Sequence, residues 1–178
     1  MTKNEMIKNI FIALLVIGVV SCTEQGQKEK MISDKPQDLF PKESYTIRQF
    51  KDAEDNLCYI SFNAAYKGYK YKNDYPFALF IDVETRDQNE NGHPTPTEAD
   101  VFEAFEEELV SKLSKQASFH YLGRSTLNGR REIFGYIDKP EKIDTYLRKL
   151  RDSGQAQRKF DYTIEKDEDW SQVSSLLQ

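Results

Sequence analysis

The stretch SFHYLGRSTLNGRREIFGYI, Ser118 to Ile137, decides the fold. Asn128-Gly129 at its centre is a strong two-residue hairpin signal, because both turn residues must reach positive φ. The flanking runs, Ser118 to Leu127 and Arg130 to Ile137, are therefore expected as paired antiparallel strands. A helix is expected just before this hairpin. Thr95-Pro96-Thr97-Glu98 supplies an N-cap, a first-turn proline and the glutamate of a capping box. Phe102, Phe105, Leu109 and Leu113 then make one apolar stripe, with Glu106, Glu107 and Lys112 outside it. A second helix is expected after the hairpin, capped by Asp138, with Ile143, Tyr146, Leu147 and Leu150 inward and Ser153-Gly154 at its end.

Further out, Phe77, Leu79, Ile81 and Val83 mark one face of a strand reaching Thr85, and Phe160, Tyr162 and Ile164 mark another. Leu57 to Tyr66 reads as an earlier strand, and a short helix after Asp169 would bury Trp170, Val173, Leu176 and Leu177. Leaving out the earliest strand, the order is βαββαβ. The expected fold class is α+β: a ferredoxin-like split βαβ sandwich with two helices on one face of an antiparallel sheet. An extra N-terminal strand and a short C-terminal helix are added to it.

The N-terminus reads differently. Lys3 and Lys8 precede an apolar run from Ile10 to Val20, which ends at Ser21-Cys22. The run suits a signal peptide and is well short of the roughly 20 residues that span a bilayer. A small residue before a cysteine at the cleavage point is the layout of a bacterial lipoprotein signal. Cys22 is thus the expected lipidation site, with Val19 in place of the usual leucine. The organisation expected is a signal peptide over 1–21, a flexible tether over 22–43 and one α+β domain over 44–178. The tether, polar and then proline-bearing, would hold the domain about 25 Å from the anchor. Its Leu39 and Phe40 could dock on the domain. The expected location is the bacterial cell envelope, the outer membrane favoured over the inner because no Asp follows Cys22.

Removing residues 1–21 from 178 leaves 157 residues, and the formal charge passes from −5 to −6 with the loss of two lysines and one glutamate. That acidic balance argues against nucleic acid as a partner. Lipidation of Cys22 would leave Cys58 unpaired, and its place in an alternating strand marks it as a buried structural thiol.

The strand Ala78 to Val83, the Asn91-Gly92-His93-Pro94 loop before an acidic helix with Phe105 to Leu109, and the run Gly129 to Tyr136 resemble the bacterial domain-of-unknown-function 695 family. The tail Asp167-Glu168-Asp169-Trp170 is similar to that family's acidic-Trp tail. The resemblance implies an uncharacterised domain with no catalytic residues to carry over. Some related domains resemble regulators of an RNA-degrading enzyme, a cytosolic role that an exported chain could not fill.

Candidate chemistry is sparse. Asp87, Asn89, Asn91, His93 and Glu98 satisfy the spacing of a calcium loop, which makes calcium the cofactor that the sequence allows. The preceding strand and the two prolines favour a plain polar turn instead. Tyr66, Lys67, Tyr69, Lys70, Tyr71 and Tyr75 form the candidate binding surface for a protein, peptide or glycan. Arg124, Arg130 and Arg131 make a small basic cluster near the hairpin. His93 and His120 are the two histidines, and no nucleophile or hydrolase signature accompanies them. The reading is a lipid-anchored, non-catalytic binding module, with a calcium-stabilised domain and an unrecognised hydrolase as alternatives.

Overall fold

In the computed structural model, residues 39–178 are described; the expected signal peptide, Cys22 and most of the tether lie outside them. The strands are β1 Tyr45–Lys51, β2 Leu57–Asn63, β3 Phe77–Glu84, β4 Phe119–Leu127, β5 Arg130–Ile137 and β6 Phe160–Lys166. The helices are α1, Pro96–Gln116, between β3 and β4, and α2, Pro140–Ser153, between β5 and β6. All six strands join one antiparallel sheet in the order β1-β2-β4-β5-β3-β6. The fold is α+β, as the element pattern implies.

The sheet is wider than expected. β1 pairs along its full length with β2, Tyr45 opposite Asn63 and Lys51 opposite Leu57. It was not anticipated because its sequence, YTIRQFK, carries no single apolar face. The short helix expected after Asp169 is a single 3-10 turn, Ser171–Val173.

Both helices cover one face, here the helical face. Leu79, Ile81, Val83, Ile133 and Ile137 of the sheet pack with Phe102, Leu109 and Leu113 of α1 and Ile143 and Leu147 of α2. Each such side chain contributes roughly 1.5–3 kcal/mol by leaving water. The opposite face carries a second core: Phe62, Ala78, Phe134 and Tyr136 lie beneath Leu39, Tyr66, Tyr69, Tyr75, Trp170, Val173 and Leu177. Thus the N-terminal approach, the β2–β3 connection and the chain end together do for this face what helices do for the other.

Two glycines are steric requirements. Gly129 has φ +76° in the turn that the sequence marks. At Gly123, where β4 bulges, a Cβ would stand 2.1 Å from the Ser61 carbonyl oxygen, so β2 could not approach any other residue this closely.

The caps differ in detail from expectation. The Thr95 hydroxyl accepts the Glu98 amide at 3.3 Å, but the Glu98 side chain does not return to the Thr95 amide, which bonds the Asp87 carbonyl instead. Only half of the capping box forms. Asp138 does not cap α2; its carboxylate accepts the Ser118 amide at 2.9 Å, and Lys139 holds the N-cap position without a side-chain bond.

Candidate functional site

The sheet is broader than the helical layer, so α1 stands beside an uncovered strip of β1 and β2. Between them runs an open groove of about 560 Å³. Tyr45, Ser61, Tyr121 and Arg124 give its floor, while Glu103, Glu106, Glu107 and Val110 of α1 give its wall. Ile47, 71 % exposed, and Tyr59, 38 % exposed, continue the apolar floor. The strip is therefore apolar underneath and acidic along the helix.

Glu106 is the centre of this arrangement. The helical stripe leaves it outward, yet it is buried, because the sheet reaches past α1 and brings Tyr121 and Arg124 under it. One carboxylate oxygen accepts bonds from the Tyr121 hydroxyl and, at 3.0 Å, from Arg124 Nη1. The other has no hydrogen-bond partner; Arg131 Nη1 stands 4.0 Å away. Arg131 Nε is likewise unpartnered, its guanidinium lying over the Phe102 ring at 4.6 Å. Burial, then Glu106, pushes the Tyr121 hydroxyl well above its ordinary range. Burial, followed by Glu43 and Glu106, pushes Tyr45 up to about 12. Both hydroxyls are thus neutral donors at physiological pH. An unpartnered buried carboxylate oxygen favours a donor or a cation.

His93 touches the same strip. Its ring meets Tyr59 edge-on at 5.2 Å, and its Nε2 is buried without a partner. His120 lies on the other face, fully buried. The Tyr66 hydroxyl is 3.0 Å from its Nδ1 and the Tyr69 hydroxyl 3.4 Å from its Nε2. Phe40 stacks on it at 4.5 Å, and Tyr75 meets it edge-on at 4.0 Å. The Tyr69 hydroxyl donates to the Leu39 carbonyl, which assigns the imidazole proton to Nε2 and leaves Nδ1 to accept from Tyr66. The two histidines occupy opposite faces of the sheet, and among the described residues no hydrogen bond joins either side chain to a carboxylate.

This geometry corrects the expected tyrosine surface. Tyr66, Tyr69 and Tyr75 turn inward to close the second core; Tyr71 is half-buried, and Lys67 and Lys70 alone of the six are exposed. The acid sensitivity of that core follows. Burial drives the His120 pKa down to about 4, against a slight upward pull from Asp138. The unfolded chain takes a proton near 6.5 and the folded chain only near 4, so between those values the unfolded state holds more protons. Stability therefore falls as pH falls, by about 2–3 kcal/mol between pH 7 and 4.5. Glu132, raised by burial and then by Asp82, works in the opposite direction, so the comparison must isolate His120. Urea midpoints of wild type and His120→Phe at both pH values do so. The variant is expected to lose most of this slope; equal slopes would refute the assignment.

The expected calcium ligands are not brought together. The Asn89 side-chain oxygen accepts the Asn91 and His93 amides of its own turn, and Asp87 accepts the Thr95 hydroxyl. Glu98 points away into a buried ion pair, bonded by Arg158 Nη2 at 2.7 Å and by the Arg86 amide at 3.0 Å. Among the described residues no group of three or more His, Cys, Asp or Glu is placed to hold a metal ion. Cys58 is buried and free, its thiol pushed up first by burial and then by Asp52 and Glu132.

A second cleft, about 570 Å³, lies near the start of β6 and the end of α2. It is rich in charge, and most of those charges are paired, Glu84, Arg86 and Lys159 being the exceptions. Arg130 grips Asp82, Arg151 reaches Asp161, and Arg158 is held by Glu98. The groove beside α1, whose wall carries Glu103 and Glu107 and whose Glu106 keeps one oxygen without a hydrogen bond, is the better candidate for a ligand.

Comparison with known families gives one match: a family of unknown function, DUF695, whose profile covers residues 48–177. No curated protein and no solved structure matches the chain.

Proposed function

We propose, from the premise that the chain belongs to the DUF695 family of unknown function, that it is a non-catalytic binding module whose ligand is an extended, basic polypeptide segment held in the groove beside α1. The observation that carries this is the acidic wall of Glu103, Glu106 and Glu107, in which one buried Glu106 oxygen has no hydrogen-bond partner and only the Arg131 guanidinium at 4.0 Å. An apolar floor under an acidic rim suits lysine or arginine side chains, whose alkyl stems lie along Tyr45 and Ile47 while their charges meet the carboxylates. In this reading the module is carried at the cell envelope by lipidated Cys22. The order β4-β5-β3-β6 with both helices on one face supports a ferredoxin-like split βαβ unit, extended by β1 and β2.

The test uses a peptide of alternating Lys and Val, its Glu–Val counterpart and isothermal titration. The basic peptide is expected to bind, the acidic one not. Reversal of the rim by Glu103→Lys with Glu107→Lys should weaken binding about tenfold or more, as should high salt. Equal affinity for wild type and reversed variant would end this reading. Metabolic fatty-acid labelling tests the anchor, since an unlabelled Cys22 would remove it.

A further inference from the structure

We infer that β1 is a homodimerisation edge, pairing antiparallel with β1 of a second copy about a two-fold axis at Ile47. The strand lies at the end of the sheet order, and all seven of its residues are exposed. It contains no proline and pairs with β2 without a register shift. Regular, proline-free edges with exposed apolar side chains such as Ile47 can template a further strand.

The backbone fixes which groups are free. The Ser44 carbonyl accepts the Ala64 amide at 2.8 Å, and the Asp52 amide donates to the Asn56 carbonyl at 3.0 Å. Even-numbered residues therefore bond towards β2, and by alternation Tyr45, Ile47, Gln49 and Lys51 turn their N–H and C=O outward. An axis at Ile47 sets these outward groups against each other as hydrogen-bonded pairs: Ile47 with Ile47, Gln49 with Tyr45, and Lys51 with Glu43 of the second copy.

The side chains choose the same register. An axis at Arg48, the middle of the strand, would set Arg48 against Arg48 at a close, non-hydrogen-bonded position, which repels. Moving the axis to Ile47 sets Arg48 against Thr46 and Phe50 against Ser44, joins the most exposed large apolar residue to its own copy, and matches Lys51 with an acid. No like charges oppose each other in that register. The two six-stranded sheets would become one continuous sheet, with an acidic groove on either side of the axis.

Disulfide trapping tests the register as well as the contact. In the full chain carrying Cys22→Ser, cysteines at hydrogen-bonded partners stand about 5.5 Å apart at Cα, within disulfide reach. Ile47→Cys should give a covalent dimer on mild oxidation. Gln49→Cys alone should not, since its two copies are offset by four residues along the strands. A mixture of Gln49→Cys and Tyr45→Cys chains should cross-link to each other. Adding Ile47→Lys to that mixture should cut the cross-linked yield at least several-fold. Absence of the Ile47→Cys dimer, equal trapping at Gln49→Cys, or yields unmoved by Ile47→Lys would each overturn the inference. The outcome is independent of the peptide titration, which concerns the groove alone.

Discussion

Replacing Arg158 by alanine is expected to cost about 3–5 kcal/mol, because it strands a buried carboxylate. Glu98 is 4 % exposed and Arg158 9 %. The guanidinium donates to both Glu98 oxygens, from Nε at 3.3 Å and from Nη2 at 2.7 Å, and after its removal only the Arg86 amide would remain. The pair also ties the first turn of α1 to the approach of β6, two elements 60 residues apart. Against a typical total stability of about 5–15 kcal/mol, that loss is large. Its pH dependence identifies the cause. Burial pushes the Glu98 pKa up, but the bonds from Arg158 and the Arg86 amide outweigh it and hold the value below the ordinary 4.5. Wild type thus draws stability from Glu98 above pH 4.5 and loses it as pH falls. Without Arg158, burial dominates, the folded chain holds its proton longer, and the sign reverses. The penalty of Arg158→Ala, read from urea midpoints, should therefore be greater at pH 7 than at pH 4. The double variant Glu98→Leu with Arg158→Met should recover much of it. A penalty independent of pH would show that lost packing, not a stranded charge, is responsible.

Glu98 also shows how far the sequence could be read. Thr95-Pro96-Thr97-Glu98 located the start of α1 to the residue, because caps are local chemistry. The Asn128-Gly129 turn and β5 were legible for the same reason. What Glu98 bonds to was not legible, since Arg158 approaches through the tertiary fold. The same limit hid Glu106, whose helical position reads as outward until the sheet is known to extend under it. β1 itself was missed because both its faces are mixed, and only the long-range pairing with β2 makes it a strand. The tyrosines of the β2–β3 connection were read as a surface because alternating Tyr and Lys look amphipathic. Their burial depends on a second core assembled from the two ends of the described chain.

That second core yields the other large effect. Trp170→Ala is expected to cost about 3–5 kcal/mol. The ring is fully buried, stacks on Tyr136 at 4.1 Å with 11° between planes, and lies against Tyr69 at 5.2 Å. Its Nε1 donates to the Tyr75 carbonyl at 3.0 Å. The backbone is committed to this placement, for Trp170 takes φ 61°, a left-handed conformation unusual in a non-glycine residue. Asp167 holds that turn, accepting from the Ser171 amide and hydroxyl, the Gln172 amide and the Tyr136 hydroxyl. Trp170→Phe retains much of the stacking and loses the indole donor, so it should cost less, about 1–3 kcal/mol for the carbonyl left unbonded. Leu176→Ala, at a half-buried neighbour, should cost less again. Far-UV circular dichroism against urea ranks the three, and the ranking distinguishes two structures of stability. If the chain end is part of one cooperative unit, removal of Trp170 uncovers Ala78, Phe134 and Tyr136 and the global midpoint falls. If it is only a detachable cover, the midpoint holds while amide exchange rises locally around Asp167 to Leu177. The stacking on Tyr136, a residue of central strand β5, and the bond to the Tyr75 carbonyl beside β3 favour the cooperative unit, because both connect the tail to the middle of the sheet rather than to its edge.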